Sequence, residues 1–277
     1  MARAMKYAIG FIGAGRMASA LIRGLIQRGV CDAGEIVACA RSEAGRERAS
    51  RELGVAALAS AAEVAASADV LVLAVKPKDV PALFEAEGLS LEPRHLLISI
   101  AAGIRTDTLM SYVPDSRVVR VMPNHCCAVL EGAAGYARGN AGEGDLEIVE
   151  KIFSATGLAV EVAEGDMDAV TGVSGSSPAF MYMFARGIAD AGVAAGLSEE
   201  AALRLAAQSL VGAGRMLLES GKTPERLVDD VCSPGGTTAE GVKALAAGGF
   251  EGLVSKAVDA SIRRSIEMSL SARAPKR

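Results

Sequence analysis

Two short stretches of this sequence carry the residue types that hold anions on backbone. The first, Gly13-Ala14-Gly15-Arg16-Met17-Ala18, is a G-x-G-x-x-A pattern between the apolar run YAIGFI and the helical run ASALIRGLIQRG. A glycine at 13 permits a tight turn, and one at 15 lets backbone approach a pyrophosphate. Ala18 keeps the new helix close to the strand, and the helix N-terminus faces the phosphates. The second stretch is VCSPGGTTAEG, Val231 to Gly241, just ahead of the apolar-periodic run VKALAAGGFEGLVSKAV. Unpaired N–H groups and small hydroxyls at such a helix start can also take an anion. Read as mere loop chemistry, each stretch is a small-residue turn that starts a helix.

The first stretch points to a dinucleotide, and its neighbours refine the choice. The strand EIVACARS ends without an acidic residue for a ribose 2′-hydroxyl; Arg41 and Ser42 stand there instead. A cation and a hydroxyl suit a 2′-phosphate, so NADPH is expected, with NADH as a weaker donor. Further along, VLAVKPKDV places Ala74, Val75, Lys76 and Pro77 at a strand end. SIAAGI does the same with Ala101 and Ala102, and RVMPNHCC with Asn124. In open α/β sheets such carboxyl ends border the ligand crevice, and small residues there admit a flat nicotinamide ring.

The elements that must position these residues alternate. YAIGFI, EIVAC, DVLVLAV, HLLISIAAG and RVVRVMP read as buried parallel strands. ASALIRGLIQRG, EAGRERASREL, KDVPALFEAE and TDTLMSYV read as crossover helices, and GLAVEVAEG as a closing strand. From Asp166 onward only helical patterns follow, with Ser198 as an N-cap and Gly221 as a stop. The expected fold is therefore α/β: an N-terminal Rossmann-type doubly wound sheet over residues 1–164, then an all-α domain over 165–277.

Composition narrows the class. The 277 residues are 51% apolar and 22% charged, with no Trp, so alanine and glycine fill much of the core. A net charge of −4 gives no basic footprint for nucleic acid. The run after MARAMKYAIGFIG is broken at once by Gly13, Gly15 and Arg16, and no segment is long enough to span a bilayer. With five cysteines in no framework spacing, free thiols and a cytoplasmic location are expected.

Taken together, GFIGAGRMASALIRG, LAVKP, VMPN, DAVTGVSGSSPAF, ADAGVAAGL and VCSPGGTTAEG stand in an order and spacing that resemble pyrroline-5-carboxylate reductases. The resemblance covers Tyr7 to Met268. It implies NAD(P)H-dependent reduction of 1-pyrroline-5-carboxylate to L-proline. It also implies a homodimer interlocked through the C-terminal helices, with decamers a further assembly. On this resemblance Ser233, Gly235, Gly236, Thr237 and Thr238 hold the substrate carboxylate, and Thr238 orients or protonates the ring nitrogen. Glu164 falls where such enzymes often carry an acid near the ring, or is a solvated turn carboxylate. Asp168 reads as a charge complementing a helix N-terminus.

Several positions depart from the family pattern. The usual P-N-T-P is Pro123-Asn124-His125-Cys126-Cys127, S-G-S-G-P-A-Y is Ser174 to Phe180 as SGSSPAF, and Arg186 and Cys232 replace an acid and a hydroxyl. His125 could relay protons, or join the neighbouring thiols in a metal or redox site. The spacing is not that of a zinc site and no metal is expected; the plain reading is a tolerant polar loop with Cys as apolar filler. Reduction of a different carboxylated imine is the alternative activity. A dinucleotide-binding regulator is disfavoured by the intact glycine motifs. A hydroxyacid or 6-phosphogluconate-type dehydrogenase would need a lysine base, and Lys222, Lys243 and Lys256 sit in no such motif.

Overall fold

The computed structural model describes residues 7–271. Eight strands form one sheet: β1 Ile9–Ile12, β2 Ile36–Cys39, β3 Ala56–Leu58, β4 Val70–Leu73, β5 Leu96–Ser99, β6 Arg117–Met122, β7 Gly132–Arg138 and β8 Gly157–Glu161. Their order is β3-β2-β1-β4-β5-β6-β7-β8. The first six strands are parallel, with Ile9 level with Ile36 on one side and Val70 on the other. β7 turns antiparallel to β6, and β8 lies parallel to β7. β1 thus sits where strand order reverses, the position at which open α/β sheets leave a crevice.

Six helices cover both faces of the sheet: α1 Arg16–Gln27, α2 Glu43–Leu53, α3 Ala61–Ala65, α4 Val80–Glu85, α5 Thr106–Tyr112 and α6 Glu143–Ser154. On one face Leu21, Ile22 and Leu25 of α1 join Leu53 of α2 and Val149 and Phe153 of α6. On the other, Val64 of α3, Leu83 of α4 and Leu109 of α5 pack on the sheet. Strand positions of both parities are buried, as Phe11 and Ile12 illustrate, which explains the consecutive apolar runs.

The chain then continues through α7 Met167–Val170, a π turn over Thr171–Ser176, α8 Ser177–Ala194, α9 Glu199–Glu219, α10 Pro224–Val231, α11 Thr237–Ala247 and α12 Phe250–Ser271. The Ser198 hydroxyl accepts from the Ala201 N–H at 3.2 Å, and Gly221 takes φ +66° just past α9. α8 and α9 pack through small residues, with Ala185, Ala189, Ala202 and Ala206 buried. The run VKALAAGGFEGLVSKAV is two helices, because Gly249 turns with φ +67° between α11 and α12.

Two compact units result: residues 7–175 with 261–271, and Ser176–Ala260. The boundary expected near Glu164 falls earlier than this division. Residues 165–175 pack with the sheet because Met167 is fully buried there. The end of α12 packs there too: Ser265 and Ser269 donate to Asp168 Oδ1 at 2.6 and 3.2 Å, and Met268 lies against Gly103. Asp168 is therefore a buried-serine anchor as well as a helix-start charge.

Candidate active site

The glycine turn after β1 is built as its sequence suggests. Gly13 holds φ +108°, and a Cβ there would lie 2.8 Å from the Ala74 carbonyl oxygen on β4's outgoing loop. Gly15 is the N-cap of α1, has nothing within 4 Å of where a Cβ would project, and no side chain caps the helix. No side chain therefore takes up the first N–H groups of α1, and no acidic residue stands in its first turn. Those features fit a pyrophosphate.

The turn opens into a cleft of about 790 Å³ at the switch point. Gly13, Ala14 and Gly15 line it, as do Arg41 and Ser42 after β2 and Ala74, Val75 and Lys76 after β4. Pro77 starts the short turn that follows Lys76. Ser42 caps α2, its hydroxyl accepting from the Gly45 N–H at 3.2 Å. Its proton stays available to an incoming acceptor. Arg41 Nη2 donates to Asp79 Oδ2 at 2.9 Å. Two further cations on this wall, Arg48 and Lys78, were not singled out from sequence. Arg48 Nη2 reaches the Ala14 carbonyl at 3.3 Å and so ties α2 to the glycine turn. Its place one helical turn and more beyond Arg41 on an exposed face was the available signal.

Ala101 and Ala102 follow β5, with Ala101 buried and its N–H donating to Ser99 Oγ at 3.3 Å. Asn124 is also buried, and its amide is occupied in shaping the turn after β6. Oδ1 accepts from the N–H groups of Cys126 and Ala133 at 3.1 and 3.2 Å, and Nδ2 donates to the Ser174 carbonyl at 3.1 Å. His125 is exposed and lines a separate groove with Arg16, Met17 and Arg23. All five cysteines are free thiols. Burial pushes the Cys39 and Cys127 thiols up from their ordinary value, which keeps them protonated at neutral pH. Among the described residues, no group of three His, Cys, Asp or Glu is placed to hold a metal.

Glu164 is not a solvated turn carboxylate. Its Oε1 accepts from Arg120 Nη1 at 2.8 Å and from the Thr106 N–H at 3.4 Å. The Arg120 side chain is 2% exposed and that of Glu164 18%. Each keeps one buried atom, Nη2 and Oε2, without a partner among the described residues. Arg120 was missed because it reads as one charge within a strand, and its partner lies 44 positions away.

The second anion stretch belongs to the helical unit. Gly235 takes φ +71°, and Gly236 is the N-cap of α11 with no side-chain cap. The Gly236 N–H donates to the Ser233 carbonyl at 2.9 Å, closing a tight turn, and a Cβ at 236 would collide with Ser233 Oγ. Thr237 and Thr238 begin α11 with exposed side chains beside the helix's free N–H groups. Ser233, Gly235, Gly236, Thr237 and Thr238 are thus brought into one turn.

The comparisons bear on both units. Residues 8–103 match the family model described as NADP oxidoreductase coenzyme F420-dependent, and 164–268 that for pyrroline-5-carboxylate reductase dimerisation. The chain is 41% identical over 266 residues to pyrroline-5-carboxylate reductase 2 of Bos taurus, covering 94% of this chain and 83% of that one. The chain belongs to the pyrroline-5-carboxylate reductase family. Against the Glycine max pyrroline-5-carboxylate reductase the identity is 40%, covering 96% and 97% of the two chains. The crystal structure of the Plasmodium falciparum reductase with NADP bound matches with TM-score 0.83 and 32% identity, covering 96% and 99%. The Coxiella burnetii reductase matches with TM-score 0.88 and 33% identity, covering 95% and 99%. The expected α/β architecture with a helical C-terminal region is the architecture of this family.

Proposed function

We propose that this chain reduces 1-pyrroline-5-carboxylate to L-proline with NADPH, the closing step of proline biosynthesis. The observation that carries this reading is similarity at 40–41% identity over nearly the whole chain to proteins named for that reaction. The glycine turn and the cationic cleft at the sheet's switch point support a dinucleotide with a 2′-phosphate.

NADPH supplies the hydride, and the protein's own task is positioning. Gly13, Ala14, Gly15, Arg16, Met17 and Ala18 would hold the pyrophosphate through N–H groups. Arg41 and Ser42 would take the 2′-phosphate. Ala74, Val75, Lys76 and Pro77 would wall the ribose side, and Ala101 and Ala102 would back the nicotinamide. Asn124 would act through the turn it shapes. In the helical unit, Ser233, Gly235, Gly236 and Thr237 would bind the substrate carboxylate. Thr238 would donate to the ring nitrogen as the imine carbon is reduced. Glu164, oriented by Arg120, would present its acid to the substrate side.

Residues 1–164 would serve the nucleotide, and 165–277 the substrate and a homodimer. Support for the dimer comes from the apolar surface of the helical unit, where Met183, Leu205, Leu218 and Leu253 are 60% exposed or more. A decamer would be a further assembly of such dimers. Among the described residues no helix is long and apolar enough to cross a membrane. We place the chain in the cytoplasm on its free thiols and acidic charge.

The test is NADPH consumption with 1-pyrroline-5-carboxylate, scored by L-proline formed. Turnover is expected, with kcat/KM lowered about 100-fold by Thr238→Ala, the scale of a lost proton donor. NADPH binding without any proline would overturn the substrate and direct the search to other carboxylated imines.

A further inference from the structure

Asp79 closes the short turn Pro77–Asp79 after β4 and is the N-cap of α4. Its backbone is already helical there, at φ −93° and ψ −10°, and not in the extended geometry that folds a carboxylate back onto a helix start. Its side chain makes no cap. The carboxylate instead reaches Arg41 at the end of β2, where Oδ2 accepts from Nη2 at 2.9 Å. The turn is held by backbone, the Asp79 N–H donating to the Lys76 carbonyl at 2.9 Å. Asp79 is therefore presented to Arg41 from a built position, its side chain 21% exposed against 77% for Arg41.

This pair spans the wall of the cleft where a ribose 2′-substituent would lie. We infer that Asp79 sets the nucleotide selectivity of this chain by holding the Arg41 guanidinium, so that a 2′-phosphate must share or displace its carboxylate. A phosphate dianion arriving at Arg41 meets an anion already bound there, and like charges at that range repel. A 2′-hydroxyl meets no such opposition, and an unprotonated carboxylate accepts its hydrogen bond, as an acidic residue does in NAD sites. Arg41 and Asp79 then pull in opposite directions: one favours NADPH, and the other narrows the gap to NADH. The inference rests on the NADPH reading above and adds to it a residue 38 positions away from Arg41 in sequence.

The experiment measures dissociation constants of NADP⁺ and NAD⁺ on the full chain, by quenching or calorimetry. The proteins compared are wild type, Asp79→Asn, Arg41→Ala and the double variant. Asp79→Asn is expected to raise the preference for NADP⁺ about fivefold, the scale of one exposed ion pair. In the Arg41→Ala background the same change is expected to move the preference less than about twofold, because the pair is gone. An unchanged or lowered preference in Asp79→Asn overturns the inference, and so does an equal rise in both backgrounds. Asp79→Ala repeats the test without an amide, and the turn's backbone bond does not depend on that side chain. Binding is read without substrate, so a failure to reduce 1-pyrroline-5-carboxylate would leave this result interpretable. A wild type that binds no NADP⁺ would instead overturn the nucleotide assignment itself.

Discussion

Gly13 and Gly235 both take a left-handed backbone, at φ +108° and +71°, ahead of a helix that no side chain caps. The two turns are mounted differently. Behind the first, Leu21, Ile22 and Leu25 of α1 are fully buried against the sheet. Behind the second, no residue of α11 is buried. The first turn is fixed by its own chain's core, and a Cβ at Gly13 would meet the backbone of the loop that leaves β4. The second draws its shape from within itself, through the Ser233–Gly236 bond. The first turn is therefore backed by the core of its own unit, whereas the second stands on a helix with no buried residue, in a unit with exposed apolar side chains.

The largest expected effect breaks the first cradle. Gly13→Val adds a side chain 2.8 Å from the Ala74 carbonyl at a backbone angle that valine resists. NADP⁺ affinity is expected to fall by about 100-fold or more, combining left-handed strain with overpacking. Near-normal affinity would mean that the turn does not hold the phosphates.

A smaller effect sharpens the contrast in burial. Arg120→Ala strands the Glu164 carboxylate in a nearly closed site, at a cost of about 3 kcal/mol in urea unfolding. The matching change in the helical unit is Arg186→Ala. Arg186 pairs with Asp190 at 2.8 Å, but its side chain is 61% exposed, so the same denaturation midpoint should stay within error. Equal losses from both would contradict the division between an enclosed frame and an open one.

Legibility in the sequence followed the same contrast. Strands β1, β2, β4, β5 and β6 were readable because both of their faces are covered, giving consecutive apolar residues. β3 is only three residues of alanine and leucine, none fully buried, and β7 reads GAAGYAR, poor in β-branched types. Both exist through pairing with neighbours, which leaves no local mark. α6 and α10 did carry marks: Leu146, Val149 and Phe153 share a helical face, and Thr223-Pro224 is a cap followed by a first-turn proline. The glycine turns were legible because backbone geometry restricts which residues can form them. Arg41–Asp79 and Arg120–Glu164 were not, since each joins residues that only the sheet brings together. The helical unit's apolar stripes were legible as more than one small domain buries, and Met183, Leu205, Leu218 and Leu253 are exposed.

The central claim is that the two turns serve different ligands, and Gly236→Ala tests it most directly. The added methyl displaces Ser233 Oγ and stands 3.0 Å from the Ser233 carbonyl oxygen, so it strains the second turn. With saturating NADPH, kcat/KM for 1-pyrroline-5-carboxylate should fall about 30-fold, the scale of an overpacked contact. The dissociation constant for NADP⁺ should stay within about twofold, the outcome expected of a turn that serves the substrate alone. A parallel loss of nucleotide affinity, or an unchanged kcat/KM, would contradict the account.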